Sequence, residues 1–425
     1  MLLCAVPDIP TGAVCGASIL HPGRPELELI ARDTELTAAM IGRLQKLGVG
    51  EVWIRYDGTE DLDGAVTTGL SLAQREVFTA LKEDFSRSAE RTISAASMAS
   101  YRTAVSNMIC EIISGKAYAG LASRLRSEDA PLFSHSASVA YLSMLAGLEL
   151  ENYVIQSRGR LDSAHAKDMT PLGIAGMLHD IGKTPAGDRV RNMHELQGAD
   201  LGETPYRAHP IVSAKLLADD RIPATARNAV LMHHQRWDGT GWPTNKELGW
   251  DESKPLKETN LHVFGRILSA ANALDNLLTS ASGDRRPPVA ALYLFASERL
   301  DGWFDPVVRR TLLRQAPPFV VGSMVTLSDG RKCVVIAPNR ERPCRPTVRP
   351  IGENGSEQPS ADAVALDQHP ELFIARAQGV DVSRYMYELP KAGVDPTKAK
   401  SDDADRATAE AAGVKPAKGG DKAAA

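Results

Sequence analysis

The stretch GIAGMLHDIGK, residues 173 to 183, decides the fold of this chain. Its first half is an apolar helical segment, and His179 and Asp180 follow that segment directly. An imidazole suits Fe, Mn or Zn, and a carboxylate has two oxygens that can bridge two ions. Because burying Asp180 without a cation would be costly, the pair predicts a metal site inside a helical domain. The alternative is a helix end at which His179 and Lys183 interact with the helix dipole.

The two residues that close this stretch fit a phosphate-binding metal site. Gly182 allows a close approach of the backbone to a neighbouring element. Lys183 lies one helical turn beyond His179 and can direct a positive charge towards a phosphate near the metals.

A second motif, HHQRWDGTGWP, covers residues 233 to 243. Two adjacent histidines, His233 and His234, are predicted at the end of a helix. The turn that follows them contains Asp238, Gly239, Gly241 and Pro243. This order places two imidazoles beside a fixed loop that can form a pocket wall. Taken alone, the turn also fits a surface loop around a structural Trp237.

Further histidines lie on other predicted helices. His135 is in the segment SHSASVAYL, and His209 directly precedes Pro210. The candidate ligands therefore come from four separate helices, as they do in discontinuous metal sites of helix bundles.

Apolar residues recur mostly at helical intervals from about residue 128 to residue 315, which predicts an all-α bundle. Residues 71 to 127 carry a similar apolar stripe and are predicted to form a helical linker. That stripe either packs on a neighbouring domain or forms a homodimer interface.

The two flanks of the helical region have a different pattern. Residues 1 to 70 read as strand, helix and strand, and so predict a small α+β module of an accessory or sensor type. Asp329 and Gly330 lie between two β-rich runs, which predicts a hairpin in a small β module over residues 316 to 388. Residues 389 to 425 have almost no large apolar side chain and are predicted to form a disordered tail. The fold class is therefore multidomain, with a central all-α bundle between two small modules.

Composition limits the classes of function. The 425 residues carry a net charge of -4, so there is no global basic field for a nucleic-acid polymer or an anionic membrane. The five cysteines have no CxxC spacing, which argues against a disulfide framework and a structural zinc module. The sequence shows neither a signal-peptide core nor an apolar run long enough to span a bilayer. We expect a cytoplasmic protein.

Together these motifs resemble the HD-GYP family, a branch of the HD metal-dependent phosphohydrolases associated with the bacterial messenger cyclic di-GMP. HDIGK matches the HD motif, and HHQRWDGTGWP is similar to the family pattern HHExxDGxGYP. The segments RILSAANALDNLLTS and WFDPVV follow in the family's order. The resemblance covers residues 128 to 315 and implies an HD-type fold for the bundle. The flanking modules resemble accessory parts of such proteins more weakly.

The resemblance implies a ligand set for two divalent ions, with Fe or Mn expected. By position, these ligands are His135, His179, Asp180 as the bridge, His209, His233, His234 and Asn272 or Asp275. The implied reaction is hydrolysis of cyclic di-GMP to pGpG or GMP by a metal-activated hydroxide, with Asp180 and Lys183 as catalytic residues. The implied substrate-binding residues are Lys183, Arg285, Arg286, Asp238, Gly239, Gly241, Trp242 and Pro243.

Four positions depart from the family pattern. Asn272 stands where many members have an Asp ligand, and a neutral amide supplies no charge to a metal. Gln235 replaces a Glu, and Trp242 replaces the Tyr of the signature. Pro131 stands where some members have a Glu that holds a third ion, so two metals at most are expected.

These departures leave three functions open. The first is a cyclic di-GMP phosphodiesterase. The second is a catalytically impaired receptor for cyclic di-GMP or a scaffold for a partner such as a GGDEF-domain protein. The third is a phosphohydrolase of another nucleotide. Metal content and turnover distinguish the first two, because a receptor binds the messenger and releases no product.

Overall fold

A computed structural model describes most of the chain. The described residues are 1–21, 24–63, 72–87, 93–113, 131–186, 204–278, 286–352 and 362–390. Nearly all of the predicted tail, and Arg285, lie outside these residues.

The described residues form helices and strands in the following chain order. The helices are α1 (Ala38–Lys46), α2 (Leu72–Arg87), α3 (Ala95–Glu111), α4 (Pro131–Glu149), α5 (Glu151–Ser157), α6 (Ser163–Ala166), α7 (Thr170–Leu178), α8 (Thr204–Leu216), α9 (Ala224–Leu231), α10 (Asn245–Leu248), α11 (Val263–Leu277), α12 (Pro288–Ala296) and α13 (Pro306–Gln315). The strands are β1 (Leu2–Ala5), β2 (Ile19–His21), β3 (Arg24–Ile30), β4 (Glu51–Ile54), β5 (Met324–Leu327), β6 (Lys332–Ala337), β7 (Thr347–Pro350), β8 (Val364–Ala365), β9 (Ile374–Ala377) and β10 (Val380–Asp381). The prediction of a central helical bundle between two small modules is confirmed. Each described helix is too short or too polar to cross a bilayer.

Helices α4, α7 and α11 form the centre of the bundle. Every residue of α11 is buried, so this helix is surrounded by its neighbours. Small residues let α4 and α7 pack closely, because a Cβ on Gly176 would lie 2.5 Å from the Cα of Ala140. This close packing brings the C-terminal end of α7 beside α4. His179 and Asp180, two of the predicted ligands, directly follow that end of α7.

Helices α2 and α3 lie within the predicted linker, and both pack on the bundle. Leu81 of α2 and Tyr101, Val105 and Met108 of α3 are buried in the same apolar core as α4, α7 and α11. A Cβ on Gly173 of α7 would lie 2.7 Å from a methyl group of Val105. The apolar stripe is therefore covered by the bundle itself, as one of the two predicted alternatives required. The apolar stripe is buried within one chain. A homodimer through the linker stays a prediction.

The C-terminal module is a six-stranded antiparallel sheet with strand order β10-β9-β5-β6-β7-β8. The turn between β5 and β6 contains Asp329 and Gly330, and Gly330 has a φ of 89°. Glycine reaches this left-handed region at little steric cost, so the predicted hairpin is confirmed.

The N-terminal module is α+β, as predicted, and it is joined to the C-terminal sheet. β1 pairs with β4, and α1 packs beside them. Val334 and Ile351 of the C-terminal sheet belong to the apolar core of the N-terminal module. Asp61 and Arg349 form an ion pair between the two modules at 2.7 Å. The two flanks of the helical domain are therefore one packed unit, although they lie at opposite ends of the sequence.

Candidate metal centre

Six of the predicted ligands meet at one point inside the bundle. His135 lies on α4, His179 and Asp180 follow α7, His209 lies on α8, and His233 and His234 follow α9. None of these side chains is more than 5% exposed. The apolar helices carry a polar cluster that water does not reach, so its groups must satisfy one another or bind a cation.

The cluster consists of two groups that share one carboxylate. We call His135, His179 and Asp180 the three-donor group, and Asp180, His209, His233 and His234 the four-donor group. Within each group the ligand atoms lie within 4.8 Å of one another. One oxygen of Asp180, Oδ1, lies 3.1 Å from His209 Nε2, and the other, Oδ2, lies 3.5 Å from His179 Nε2. The two oxygens of Asp180 therefore face different groups, as a bridging carboxylate requires.

The backbone fixes the tautomers of three of the histidines. In each ring Nδ1 donates a hydrogen bond to the carbonyl three residues earlier, in the pairs His179–Gly176 at 2.9 Å, His209–Tyr206 at 2.5 Å and His233–Val230 at 2.6 Å. A carbonyl oxygen only accepts, so Nδ1 carries the proton and the neutral ring has a lone pair on Nε2. The three Nε2 atoms therefore offer lone pairs to the centre of the cluster.

Two pairs of Nε2 atoms face each other at hydrogen-bonding distance. Nε2 of His135 lies 3.2 Å from that of His179, and Nε2 of His209 lies 3.1 Å from that of His233. Two lone pairs this close repel each other, whereas a cation coordinated by both nitrogens removes the repulsion. The donor set of imidazole nitrogens and a shared carboxylate thus fits divalent transition metals.

Burial sets the protonation states that a metal needs. It lowers the pKa of His179 and of His234 well below the usual value, and it lowers the pKa of His209 to about 4. Burial raises the pKa of Asp180, but the positive charge of Lys183 outweighs it and holds that pKa well below its usual range. These imidazoles are therefore neutral, and the carboxylate is ionised.

Lys183 is buried beside the shared carboxylate. Its Nζ donates a hydrogen bond of 2.7 Å to Asp180 Oδ2 and lies 5.3 Å from the centre of the Tyr206 ring. Gly182 permits this turn, because a Cβ there would lie 2.3 Å from the carbonyl oxygen of His209. The predicted close approach at Gly182 is confirmed. Lys183 is thus within the cluster, where it balances the negative charge of Asp180.

Helix α11 supplies Asn272 and Asp275, which play different parts. Asp275 Oδ2 accepts a hydrogen bond of 2.6 Å from Nδ1 of His135, on the ring edge opposite the metal-facing nitrogen. Asn272 Oδ1 accepts a bond of 3.0 Å from Asn276 Nδ2. Asp275 therefore lies behind a ligand, in the place of a group that orients an imidazole and raises its basicity.

The loop after His234 forms one wall of the cluster. The Trp242 ring stacks on the His234 ring, with 4.2 Å between centroids and 14° between planes. Gly241 allows this packing, because a Cβ there would lie 2.4 Å from the His234 carbonyl oxygen. Gln235 donates to the carbonyl of Pro243 and is buried. Trp242 is buried and supports a ligand rather than presenting an open aromatic face.

Two other predicted substrate-binding residues in this loop lie at the surface. Gly239 has a φ of 86°, and Asp238 Oδ1 accepts bonds from the backbone and hydroxyl of Thr240. Asp238 also lies against Gly302, which has a φ of 79°. A residue with a side chain would be strained in that backbone conformation. These contacts fix the shape of the turn.

A narrow cleft opens beside the four-donor group. Its walls come from the end of α9, from α11 and from the segment before α13. The lining residues are His233, His234, Arg236, Ser269, Asn272, Ala273, Asn276, Trp303 and Phe304. The cleft gives a ligand access to the metal-facing histidines.

Of the two arginines predicted to bind substrate, the structure describes Arg286. Its guanidinium donates to the carbonyl of Leu277, and its backbone N–H donates to that of Leu278 at 2.9 Å. Arg286 therefore bonds to the C-terminal end of α11.

Comparisons with known proteins show which families the chain is similar to. A model of the HD domain family matches residues 132–277, and a model of the KOW domain associated with HD domains matches residues 324–380. A cyclic di-GMP phosphodiesterase of Pseudomonas aeruginosa is 28% identical over 215 residues, which is 50% of this chain and 46% of that protein.

Two further relatives match shorter stretches of the chain, and one solved structure matches a longer stretch at lower identity. Cyclic di-GMP phosphodiesterases of Thermotoga maritima and Vibrio cholerae are 28% and 30% identical over 28% and 24% of this chain, and over 28% and 20% of their own lengths. The chain thus matches less than half the length of each of these relatives. The structure of an HDG"Y"P protein from Bdellovibrio bacteriovorus covers 73% of this chain and 98% of its own, at 16% identity and a TM-score of 0.40.

Sequence reasoning assigned no role to two residues that the structure places at the site. Ser213 Oγ accepts a hydrogen bond from Gly182 N and donates one to the carbonyl of His179, both at 2.8 Å. These bonds connect α8 to the turn that follows α7. Its position one helical turn after His209 is a signal that could have found it. Arg236 lines the cleft, and its place two residues after a ligand histidine is a comparable signal.

Proposed function

We propose that this protein, whose central helical domain belongs to the HD-GYP family, is a metal-dependent phosphodiesterase of cyclic di-GMP. The observation that carries the proposal is the pair of donor groups that share Asp180. A family match alone would leave open whether the ligands of this chain meet, and their convergence supports a working centre.

The ligands of the proposed centre divide between two ions. His135 and His179 would hold one ion, and His209, His233 and His234 the other, with Asp180 between them. The imidazole-rich set suits Fe or Mn, which we propose as the resident metals. When bound, such ions polarise a phosphoryl oxygen and lower the pKa of a water molecule, which is the chemistry that phosphodiester hydrolysis needs.

The protein's own groups place the substrate and balance charge. The buried ammonium of Lys183 lies 2.7 Å from Asp180, so it can turn from this carboxylate to a phosphate oxygen as charge grows in the transition state. Trp242 holds the His234 ring, and Asp275 holds the His135 ring. These supports keep the metal-facing nitrogens in place without a conformational change at the moment of reaction.

The proposed reaction breaks one phosphodiester bond of cyclic di-GMP, and water supplies the new P–O bond. The first product is pGpG, and a second cleavage gives GMP. We place the scissile phosphate of the substrate at the cleft beside the four-donor group, next to His233 and His234.

Turnover by the metal-loaded protein tests the proposal. We would purify the chain anaerobically, count its metal ions, and follow cyclic di-GMP, pGpG and GMP by chromatography. His179→Ala is expected to lose metal and product formation, because it removes a ligand of the shared centre. His165→Ala is the matched control, since His165 is exposed and pairs with Asp162 away from the cluster. Wild-type turnover that persists in His179→Ala would contradict the proposal.

A receptor that binds cyclic di-GMP without hydrolysis is the second candidate. The observation that favours it is Asn272, a neutral amide bonded to Asn276 at a position where the family resemblance implies a metal-binding carboxylate. Binding of the messenger by a metal-poor protein, with no product, would favour this candidate over the enzyme.

A further inference from the structure

The cleft beside the four-donor group carries a positive charge. Among the described residues that line it, Arg236 is the one arginine or lysine side chain, and none of the others is Asp or Glu. The remaining polar walls are Ser269, the amides of Asn272 and Asn276, and the two ligand histidines. A cleft with this lining favours an anion over a cation.

The guanidinium of Arg236 is held in place by two neighbours. It stacks on the ring of Trp303, with 3.5 Å between its central carbon and the ring centroid. Its Nη1 donates to Thr240 Oγ1 at 3.2 Å, and that hydroxyl donates to Asp238 at 2.7 Å. These contacts orient the guanidinium, whose planar fork of N–H donors matches the geometry of a phosphate.

Two neutral amides keep negative charge out of this region. Asn272 lines the cleft, and Gln235 donates to the carbonyl of Pro243. A carboxylate at Asn272 would face the same space as Arg236 and would repel a phosphate there.

We infer that Arg236, with the amide of Asn276, forms a phosphate subsite in this cleft that binds a phosphate group of the nucleotide. The inference rests on the proposed function, because it gives a binding role to a residue of the same site. Arg286 is a poorer candidate, because its guanidinium bonds to the carbonyl of Leu277 at the end of α11.

The test measures anion binding separately from turnover. Inorganic phosphate and cyclic di-GMP are titrated calorimetrically into the anaerobically purified, metal-loaded full chain, and KM and kcat are measured in parallel. The variants are Arg236→Gln, Arg236→Lys and Asn276→Asp. Arg221→Gln is the matched control, because Arg221 is exposed and pairs with Asp219. Metal content and thermal unfolding are recorded for every variant.

Arg236→Gln is expected to raise the Kd for phosphate and the KM roughly 10-fold or more, because it removes a charged hydrogen-bond donor. Arg236→Lys should keep part of the affinity for phosphate, because the positive charge remains. Asn276→Asp should weaken phosphate binding through repulsion. Arg221→Gln should have the wild-type Kd for phosphate and the wild-type KM. Phosphate binding that depends on Arg236 in a protein that does not bind cyclic di-GMP would support the subsite and reject the proposed function.

Two results would overturn the inference. The first is an Arg236→Gln protein with wild-type phosphate affinity and KM. The second is loss of metal in both Arg236 variants together with normal phosphate affinity in Asn276→Asp, which would show that Arg236 acts only by holding the loop.

Discussion

The two donor groups of the proposed centre share Asp180 and are otherwise built differently. The four-donor group has three histidines, two of which are adjacent in sequence and one of which is stacked on Trp242. The three-donor group has two histidines, and one of these depends on Asp275 of another helix. The first group is complete in itself, whereas the second relies on a residue behind a ligand.

This difference predicts unequal metal affinities. An ion in the four-donor group would meet three imidazoles and a carboxylate. An ion in the three-donor group would meet two imidazoles and the same carboxylate. We expect the four-donor group to retain its ion more strongly during purification, and the following variants test that order.

The largest effect is expected from Asp180→Asn, because it removes the one carboxylate that both groups share. Metal content should fall from about two ions per chain to near zero, and turnover should cease. Elemental analysis and product chromatography on one sample measure both quantities. About one retained ion would contradict the assignment of Asp180 to both groups.

A double variant separates metal loss from unfolding. Asp180→Asn alone leaves the buried ammonium of Lys183 without its ion-pair partner, which costs about 3–5 kcal/mol of the free energy of unfolding. Asp180→Asn with Lys183→Met removes both charges and should recover much of that stability while metal remains absent. Denaturant unfolding of the two proteins measures the difference.

His209→Ala should break the four-donor group alone. The tighter ion is then lost, the weaker ion remains only in part, and turnover falls below detection. Metal content after dialysis, compared with that of His135→Ala, checks the order of affinity. Equal losses in the two variants would show that the groups do not differ as their ligand sets suggest.

Asp275→Asn should weaken the three-donor group without removing a ligand. The amide can still accept the Nδ1–H of His135, but it no longer raises the basicity of the ring, so affinity for the weaker ion should fall roughly 10-fold to 100-fold. Competition with a chelator gives the affinity of each ion. Loss of the tighter ion first would place Asp275 in the other group.

Asn272→Asp is the variant that sharpens the comparison in the opposite direction. Asn272 lines the cleft together with His233 and His234, so a carboxylate at this position should raise the affinity for the ion of the four-donor group by about 10-fold, while the ion of the three-donor group changes little. Metal content at limiting metal should rise with it. Unchanged metal affinity would show that residue 272 does not reach an ion.

The sequence predicted the parts of the molecule whose signals are local. The apolar run ending in His179 and Asp180 predicted a buried pair, and Asp329–Gly330 predicted a hairpin, because helical periodicity and turn chemistry act over a few residues. The order of the histidine motifs led to the family, and the structure brings six of those side chains together.

The remaining features depend on contacts between distant residues. β1 was not predicted, because its partner β4 lies about fifty residues further along the chain. The core that Val334 and Ile351 share with the N-terminal module joins opposite ends of the sequence, and no local pattern reports it. At the site, the apposition of Asp275 and His135 follows from the packing of α11 on α4, which spacing along the chain does not specify.

The most direct test of the account is the number of metal ions and the rate of cyclic di-GMP hydrolysis, measured on one anaerobically purified sample of the full chain. The account predicts about two ions per chain and the appearance of pGpG or GMP, with both lost in Asp180→Asn. A wild-type protein that holds its ions and binds cyclic di-GMP without releasing either product would contradict the account.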